Sequence, residues 1–285
     1  MIKIKLSYIV KSNEVALKSI LKGELSISTR LITKLKNNQN IFVNGVPVFI
    51  NTTLYKGDIV EVDLEVNNET DYIAPESMTL DVLYEDDAIL AVNKPSGIVV
   101  HPSCYHLNNT LANGVKAYLN NSKKVRPINR LDRDTSGIVL FAKNAYVQEN
   151  IKIIEKEYIA VVQGNLEKKE GKINAPIARK EGSIMERCVD TNGQKAITNY
   201  SVVSESADFS VLKVNIETGR THQIRVHMAY IGHPIVGDTL YGNSSYKINT
   251  QALHAFEISF VHPITHKSIT IKSPEPGWLK EIFNM

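Results

Sequence analysis

This chain of 285 residues holds only two cysteines, Cys104 and Cys188, which form neither a metal-ligand spacing nor a disulfide framework. A reducing compartment is the expectation. No apolar stretch approaches the ~20 residues that a membrane-spanning helix needs. Met1-Ile2-Lys3-Ile4-Lys5 leads into alternating charge instead of an apolar h-region, so no secretory signal is read and a cytoplasmic location without a membrane partner is expected. Internal repeats and low-complexity segments are absent. Net charge is small, at +3, and argues nothing alone. What remains is ordinary for a globular chain with a real core: 43% hydrophobic and 22% charged residues.

The charge is unevenly spread. Residues 1–60 carry nine lysines and arginines against Glu14, Glu24 and Asp58, a net +6, so the other 225 residues sum to −3. A basic small unit joined to a near-neutral large one suggests a polyanion partner, against the plainer reading of a solvated lysine surface. Within it, Thr29 to Leu35 reads as a short basic helix and Ile41-Phe42-Val43 as a strand. Asn44-Gly45 reads as a type I′ hairpin turn, Val46 to Ile50 as the return and Ile59-Val60-Glu61-Val62 as an alternating strand. A polar, aperiodic stretch follows. The expected division is a front module over 1–65, a linker over 66–79 and a large domain over 80–285.

In the large domain, strands are expected at Asp81–Tyr84, Ala88–Val92, Ile138–Ala142, Lys156–Val162, Ala196–Val203 and Phe209–Ile216. Helices are expected over Leu107–Leu119, from Ala145 with Val147, Ile151 and Ile154 on one face, and around Ile224, His227, Met228 and Ile231. The elements interleave without regular βαβ spacing, so the expected class is α+β.

Two polar turns stand out. Asn129-Arg130-Leu131-Asp132-Arg133-Asp134-Thr135-Ser136-Gly137 runs directly into the apolar Ile138-Val139-Leu140-Phe141, and Thr218-Gly219-Arg220-Thr221-His222-Gln223-Ile224-Arg225 opens a helix. A carboxylate on one rigid turn and a guanidinium on another are the parts of an ionised nucleophile. Other chemistries fit less well. His222 and His227 stand at i, i+5, unlike the i, i+4 of a zinc helix. Asp132 and Asp134 sit too close along one turn to flank a sugar as a glycosidase pair does, and Asp134 is expected to cap amides of its own turn.

Taken together these segments resemble the RluA family of RNA pseudouridine synthases. The resemblance rests on Tyr84-Glu85-Asp86, Asn93-Lys94-Pro95-Ser96-Gly97, His101-Pro102, Arg130-Leu131-Asp132, Thr135-Ser136-Gly137 and Lys156-Glu157-Tyr158. It continues through Gly193-Gln194-Lys195-Ala196, Gly219 to His227, His233 to Asp238, and Leu253-His254-Ala255. These fall in the family's order over nearly all of 80–285. One departure is Asn129, where the family usually has His before Arg-Leu-Asp. Residues 25–58 resemble the small RNA-binding module of ribosomal small-subunit protein S-four, with Asn38 where that module often has glycine.

The resemblance implies an extended mixed or antiparallel sheet crossed by a cleft. It also implies an RNA pseudouridine synthase with Asp132 as nucleophile, Arg225 as its bidentate partner and Tyr158 stacking on the uracil. Arg130 is implied to fill the space left by an extruded base or to clamp phosphate, and Lys94 and Lys195 to make structural contacts. Arg30, Lys34 and Lys36 are the expected phosphate contacts of the front module. The isomerisation is redox-neutral and adds no atom, so neither metal nor cofactor is expected. The expected substrate is large-subunit ribosomal RNA, with transfer RNA as the other candidate, acted on by a monomer. The competing reading is a non-enzymatic RNA-binding or ribosome-assembly factor on the same scaffold.

Overall fold

In a computed structural model, residues 4–65, 72–103, 106–120, 124–242, 248 and 250–283 are described. The expected linker lies partly outside the described residues, at 66–71, and Cys104 lies outside them entirely.

The first elements are β1 (Lys5–Ile9), β2 (Val15–Ala16), α1 (Leu17–Lys22), α2 (Thr29–Asn37), β3 (Ile41–Val43), β4 (Val46–Pro47), β5 (Thr53–Leu54) and β6 (Ile59–Asp63). Strands β1, β6, β3 and β4 form one antiparallel sheet in that order, and β2 pairs with β5. Ser28 caps α2 by accepting from the Leu31 amide at 3.2 Å. The helix buries Leu31, Ile32 and Leu35 and leaves Arg30 and Lys36 exposed. Asn44 and Gly45 both have positive φ, 50° and 78°, as a type I′ turn requires. The return strand is shorter than expected, stopping at Pro47. Asn38 stays at φ −95°, and the left-handed residue after α2 is Gln39, so position 38 has no need of glycine.

The remaining strands are β7 (Asp81–Glu85), β8 (Ile89–Lys94), β9 (Arg126–Pro127), β10 (Ser136–Ala142), β11 (Lys152–Gln163), β12 (Glu170–Asn174), β13 (Ile177–Arg179), β14 (Arg187–Val189), β15 (Ile197–Glu205), β16 (Phe209–Ile216), β17 (Leu253–Val261) and β18 (Ser268–Lys272). The helices are α3 (Leu111–Tyr118), α4 (Ala145–Asn150), α5 (Gln223–Tyr230) and α6 (Gly277–Phe283). Ten strands make a mixed sheet in the order β12-β15-β16-β11-β17-β10-β8-β7, with β18 beside β17 and β9 beside β10. Among the described residues its one parallel pair is β10 with β17. The expected α+β class and mixed sheet are what the structure has.

Alternation along β8 and β10 explains how both faces of this sheet are covered. Ile89, Ala91, Ile138, Leu140 and Ala142 join one apolar cluster with Leu17, Leu21, Leu35 and the rest of the front module's core. Leu90, Val92, Val139 and Phe141 join another with Leu111, Ala112 and Val115 of α3. The front module therefore packs on one face and α3 on the other.

Two helices differ from expectation. α3 starts at Leu111 because Thr110 and Asn113 form a capping box there, leaving Leu107 outside and exposed. α4 ends at Asn150, and Ile151 caps it in an extended conformation. Ile154 belongs to β11, so its helical spacing from Val147 was a coincidence of short-range periodicity. Among the described residues no helix is long and apolar enough to cross a membrane.

Candidate active site

Asp132 lies in the loop that enters β10, and that loop is tied down from several sides. Lys94, fully buried at the end of β8, donates its three ammonium protons to Pro95 O, Ile98 O and Arg133 O, each at 2.8 Å. The Gly97 amide also reaches Arg133 O, at 3.0 Å, and Ser96 Oγ donates to Asp134 O at 2.8 Å. Burial pulls the Lys94 pKa down to about 7 against the opposing charges of Asp134 and Asp132. Asn129 accepts from the Leu140 amide at 2.8 Å and donates to Ile138 O at 3.0 Å, pairing its side chain to β10 as another strand would. That is a structural task that needs no charge. On β10 itself, Gly137 (φ 109°) passes so close to β17 that a Cβ would collide with the Ala255 backbone, which excludes a side chain.

Arg225, third residue of α5, donates from Nη1 to Asp132 Oδ2 at 3.1 Å. The fork expected for Asp132 is spent elsewhere. Nε and Nη2 hold Asp238 at 2.7 and 2.9 Å, and Asp238 is fully buried and also accepts from the Leu240 and Tyr241 amides. Burial opposes both charges, yet the mutual hydrogen bonds outweigh it: the Arg225 pKa is raised and that of Asp238 lowered. Asp238 thus anchors the guanidinium so that its remaining edge faces Asp132. Sequence reasoning quoted Asp238 only as part of a motif; a second acid after a Gly that follows the arginine helix was the available signal.

His222, the N-cap of α5, is held at φ 57°, a left-handed conformation rare outside glycine. Its Nδ1 meets Tyr241 Oη at 2.8 Å, and its Nε2 stands 3.9 Å from Asp132 Oδ2. Tyr241 Oη already accepts from the Arg187 amide at 2.8 Å, so its proton is best placed on His222 Nδ1, leaving Nε2–H toward the cleft. Burial lowers the His222 pKa, Asp132 opposes this and Arg225 adds to it. The Arg225 guanidinium also lies over the Tyr241 ring, 5.1 Å from its centroid.

Tyr158 is buried on β11 and borders the same cleft. Burial, and then the Asp132 charge, raise its pKa further from neutrality. The ring face is what it offers; its phenol is a poor base. Arg130 is exposed at the cleft lip. Arg30 and Lys36 of α2 are exposed and are not among the residues that line the cleft with Asp132. Lys34 is half-buried, within reach of the charges of Arg126 and Glu149, so α2 abuts the rim of the large domain. Asp134 does not cap its own turn: both its oxygens accept from Arg133, at 3.0 Å. The histidines are dispersed. His227 bridges Thr198 Oγ1 and Ala175 O, and His233 meets Gln163 O. Among the described residues no group of three His, Cys, Asp or Glu is placed to hold a metal.

The cleft has a volume of about 930 Å³. Among its lining residues are Lys124, Arg126, Arg130, Lys156, Arg220 and Arg225, against a single acid, Asp132. An anionic ligand with one neutral ring suits such walls.

A family model described as RNA pseudouridylate synthase matches residues 88–230. The chain is similar to the uncharacterised RNA pseudouridine synthase YjbO of Bacillus subtilis (strain 168), 39% identical and covering 89% of this chain and 93% of that protein. It is similar to ribosomal large subunit pseudouridine synthase D of Blochmanniella floridana, 35% identical over 84% of each. In fold it resembles the human RNA pseudouridylate synthase domain containing 1, at TM-score 0.59 and 24% identity, over 71% of this chain and 86% of that one.

Proposed function

The chain belongs to the RNA pseudouridylate synthase family and is an RNA-modifying isomerase, and from that premise we propose that it converts uridines of large-subunit ribosomal RNA with Asp132 as nucleophile. The reaction breaks N1–C1′ and forms C5–C1′. The C5 proton is lost, N1 gains a proton in place of its bond to C1′, and no atom or electron is gained overall. A carboxylate suits the task because it both attacks and leaves. Asp132 sits on an over-tethered loop at the cleft wall and meets one fixed N–H of Arg225. That geometry is the observation that carries the reading. The target uridine leaves its stack, at a cost of a few kcal/mol, and lays its base against the Tyr158 ring. Arg130, at the lip, fills the space it vacates.

Substrate class rests on the relatives named for the large ribosomal subunit, in Blochmanniella floridana and in Neisseria meningitidis, the latter 33% identical. Residues 1–65 act as an S-four-like RNA-binding module, with Arg30, Lys34 and Lys36 of α2 on phosphate. The abutment of Lys34 on the Arg126 rim supports a basic track from α2 into the cleft. The enzyme works in the cytoplasm as a monomer without cofactor. A pure binding factor is the poorer fit, since a buried Arg225–Asp238 pair with a third charge beside it carries a desolvation penalty that a mere scaffold has no reason to keep. Pseudouridine mapping in a host lacking the protein tests the substrate: positions in large-subunit RNA should be lost and regained on wild-type add-back. Loss confined to transfer RNA, or no loss at all, contradicts it.

A further inference from the structure

We propose that Lys156 forms a phosphate subsite inside the cleft, taking the phosphodiester next to the extruded uridine. This rests on the reading that the cleft receives a uridine. Lys156 and Tyr158 stand at i and i+2 on β11, so both side chains project from one face of the strand, roughly 7 Å apart along it, and both line the cleft. Glu157 between them turns the other way, to Lys213 Nζ at 3.2 Å. A base stacked on Tyr158 therefore places its sugar at Asp132 and its backbone within one nucleotide's reach of Lys156.

Lys156 is half-buried and, among the described residues, makes no hydrogen bond or ion pair. Its pKa is lowered by burial alone, with no carboxylate opposing the shift. Contrast Lys94, whose three donors are all matched to carbonyls. An ammonium partly withdrawn from water and left unmatched is costly unless a ligand supplies the missing acceptors. The approach to it is open. Gly219 lies beside it, so near that a Cβ there would stand 3.9 Å from Nζ, and offers no side chain to obstruct a ligand. Arg220 follows, its Nε fixed on Lys195 O at 3.0 Å and no hydrogen bond from Nη1 or Nη2 among the described residues. Gln223 locks that turn by accepting from the Arg220 amide and Thr218 Oγ1 while donating to Ile197 O and Thr198 Oγ1. Lys156 beside a bare glycine, with Arg220 next along the pinned turn, matches an anion with several acceptor oxygens.

Lys156→Gln and Lys156→Arg should be compared with wild type for binding of a uridine-containing RNA hairpin over a range of salt. The slope of log affinity against log salt should fall by about 0.7–0.9 in Lys156→Gln, the value of one phosphate contact, and be kept in Lys156→Arg. With neutral methylphosphonate placed in turn at the two linkages flanking the target uridine, wild type should lose about tenfold in KM at one of them and Lys156→Gln nothing further there. An unchanged slope in Lys156→Gln, or equal penalties for both proteins at both linkages, overturns the proposal. The slope is read whether or not product forms. A changed slope without product would count against the isomerase reading only.

Discussion

Replacing Arg225 by lysine is the sharpest probe of the site, because three N–H groups of one guanidinium serve two carboxylates. Nε and Nη2 are held by Asp238 at 2.7 and 2.9 Å and Nη1 by Asp132 at 3.1 Å, on a side chain only 9% exposed. A lysine presents one nitrogen on a flexible stem and cannot span both acids. If it settles on fully buried Asp238, Asp132 loses its charged tether. If it moves to Asp132, a buried carboxylate is left to two backbone amides. Either way two charge-assisted hydrogen bonds are lost, about 3 kcal/mol at roughly 1.5 each. For a chain of this size that lowers Tm by roughly 5 °C. Loss of a positioned donor at the proposed nucleophile, Asp132, should cost about 10²–10³ in turnover. Thermal melts and single-turnover pseudouridine formation measure the two effects separately. A variant within 2 °C and threefold of wild type, in round terms of order the experimental error, would refute the claim that both carboxylates depend on the fork. Asp238→Ala should lower Tm by at least as much, since it strands a buried cation.

The other predictions concern what holds the site. Lys94→Met takes the ammonium donor from Pro95 O and Ile98 O and leaves Arg133 O with the Gly97 amide alone, so a loss of about 2 kcal/mol or more is expected, with kcat falling along with stability; unchanged melting would remove the tether argument. Asn129→Ala loses two hydrogen bonds to β10 and should cost about 1–2 kcal/mol, while binding of RNA at saturation stays intact; a pH-rate profile altered by this substitution would instead mean that position 129 handles protons. His254, buried between Ser136 and Ser273, has its pKa lowered by burial to about 4. Between that value and its unfolded value of about 6.5 the unfolded chain binds the extra proton, so stability falls as pH drops through this window, by up to about 3 kcal/mol. His254→Gln should flatten that slope, and an unaltered slope contradicts the assignment. Tyr158→Phe should keep far more turnover than Tyr158→Ala, because the ring face is the contribution; equal losses would restore a role for the phenol.

Much of this was legible in the chain because local chemistry dictates it. Alternation in Ile59–Val62 and the unbroken apolar run Ile138–Phe141 encode a half-covered and a doubly covered strand, and the structure has both. The Asn44-Gly45 turn follows from φ preferences alone. What was hidden is long-range. Nothing in the spacing says that Arg225 gives its fork to Asp238 and a single N–H to Asp132, since both acids are equally plausible partners until the fold sets distances. Asn129 read as a lost histidine because its hydrogen bonds to β10 exist only once the strand is in place. Val147, Ile151 and Ile154 read as one helix face because three residues cannot distinguish a six-residue helix running into a strand from a longer helix. β1 and α1 went unread, being short elements stabilised by the core they share with the sheet.

The most direct measurement is product formation by purified wild type and Asp132→Asn on the same large-subunit RNA transcript, with binding recorded in parallel. The account predicts that both bind comparably and that only the native protein makes pseudouridine. Isomerisation by the asparagine form within tenfold of wild type would place the nucleophile elsewhere.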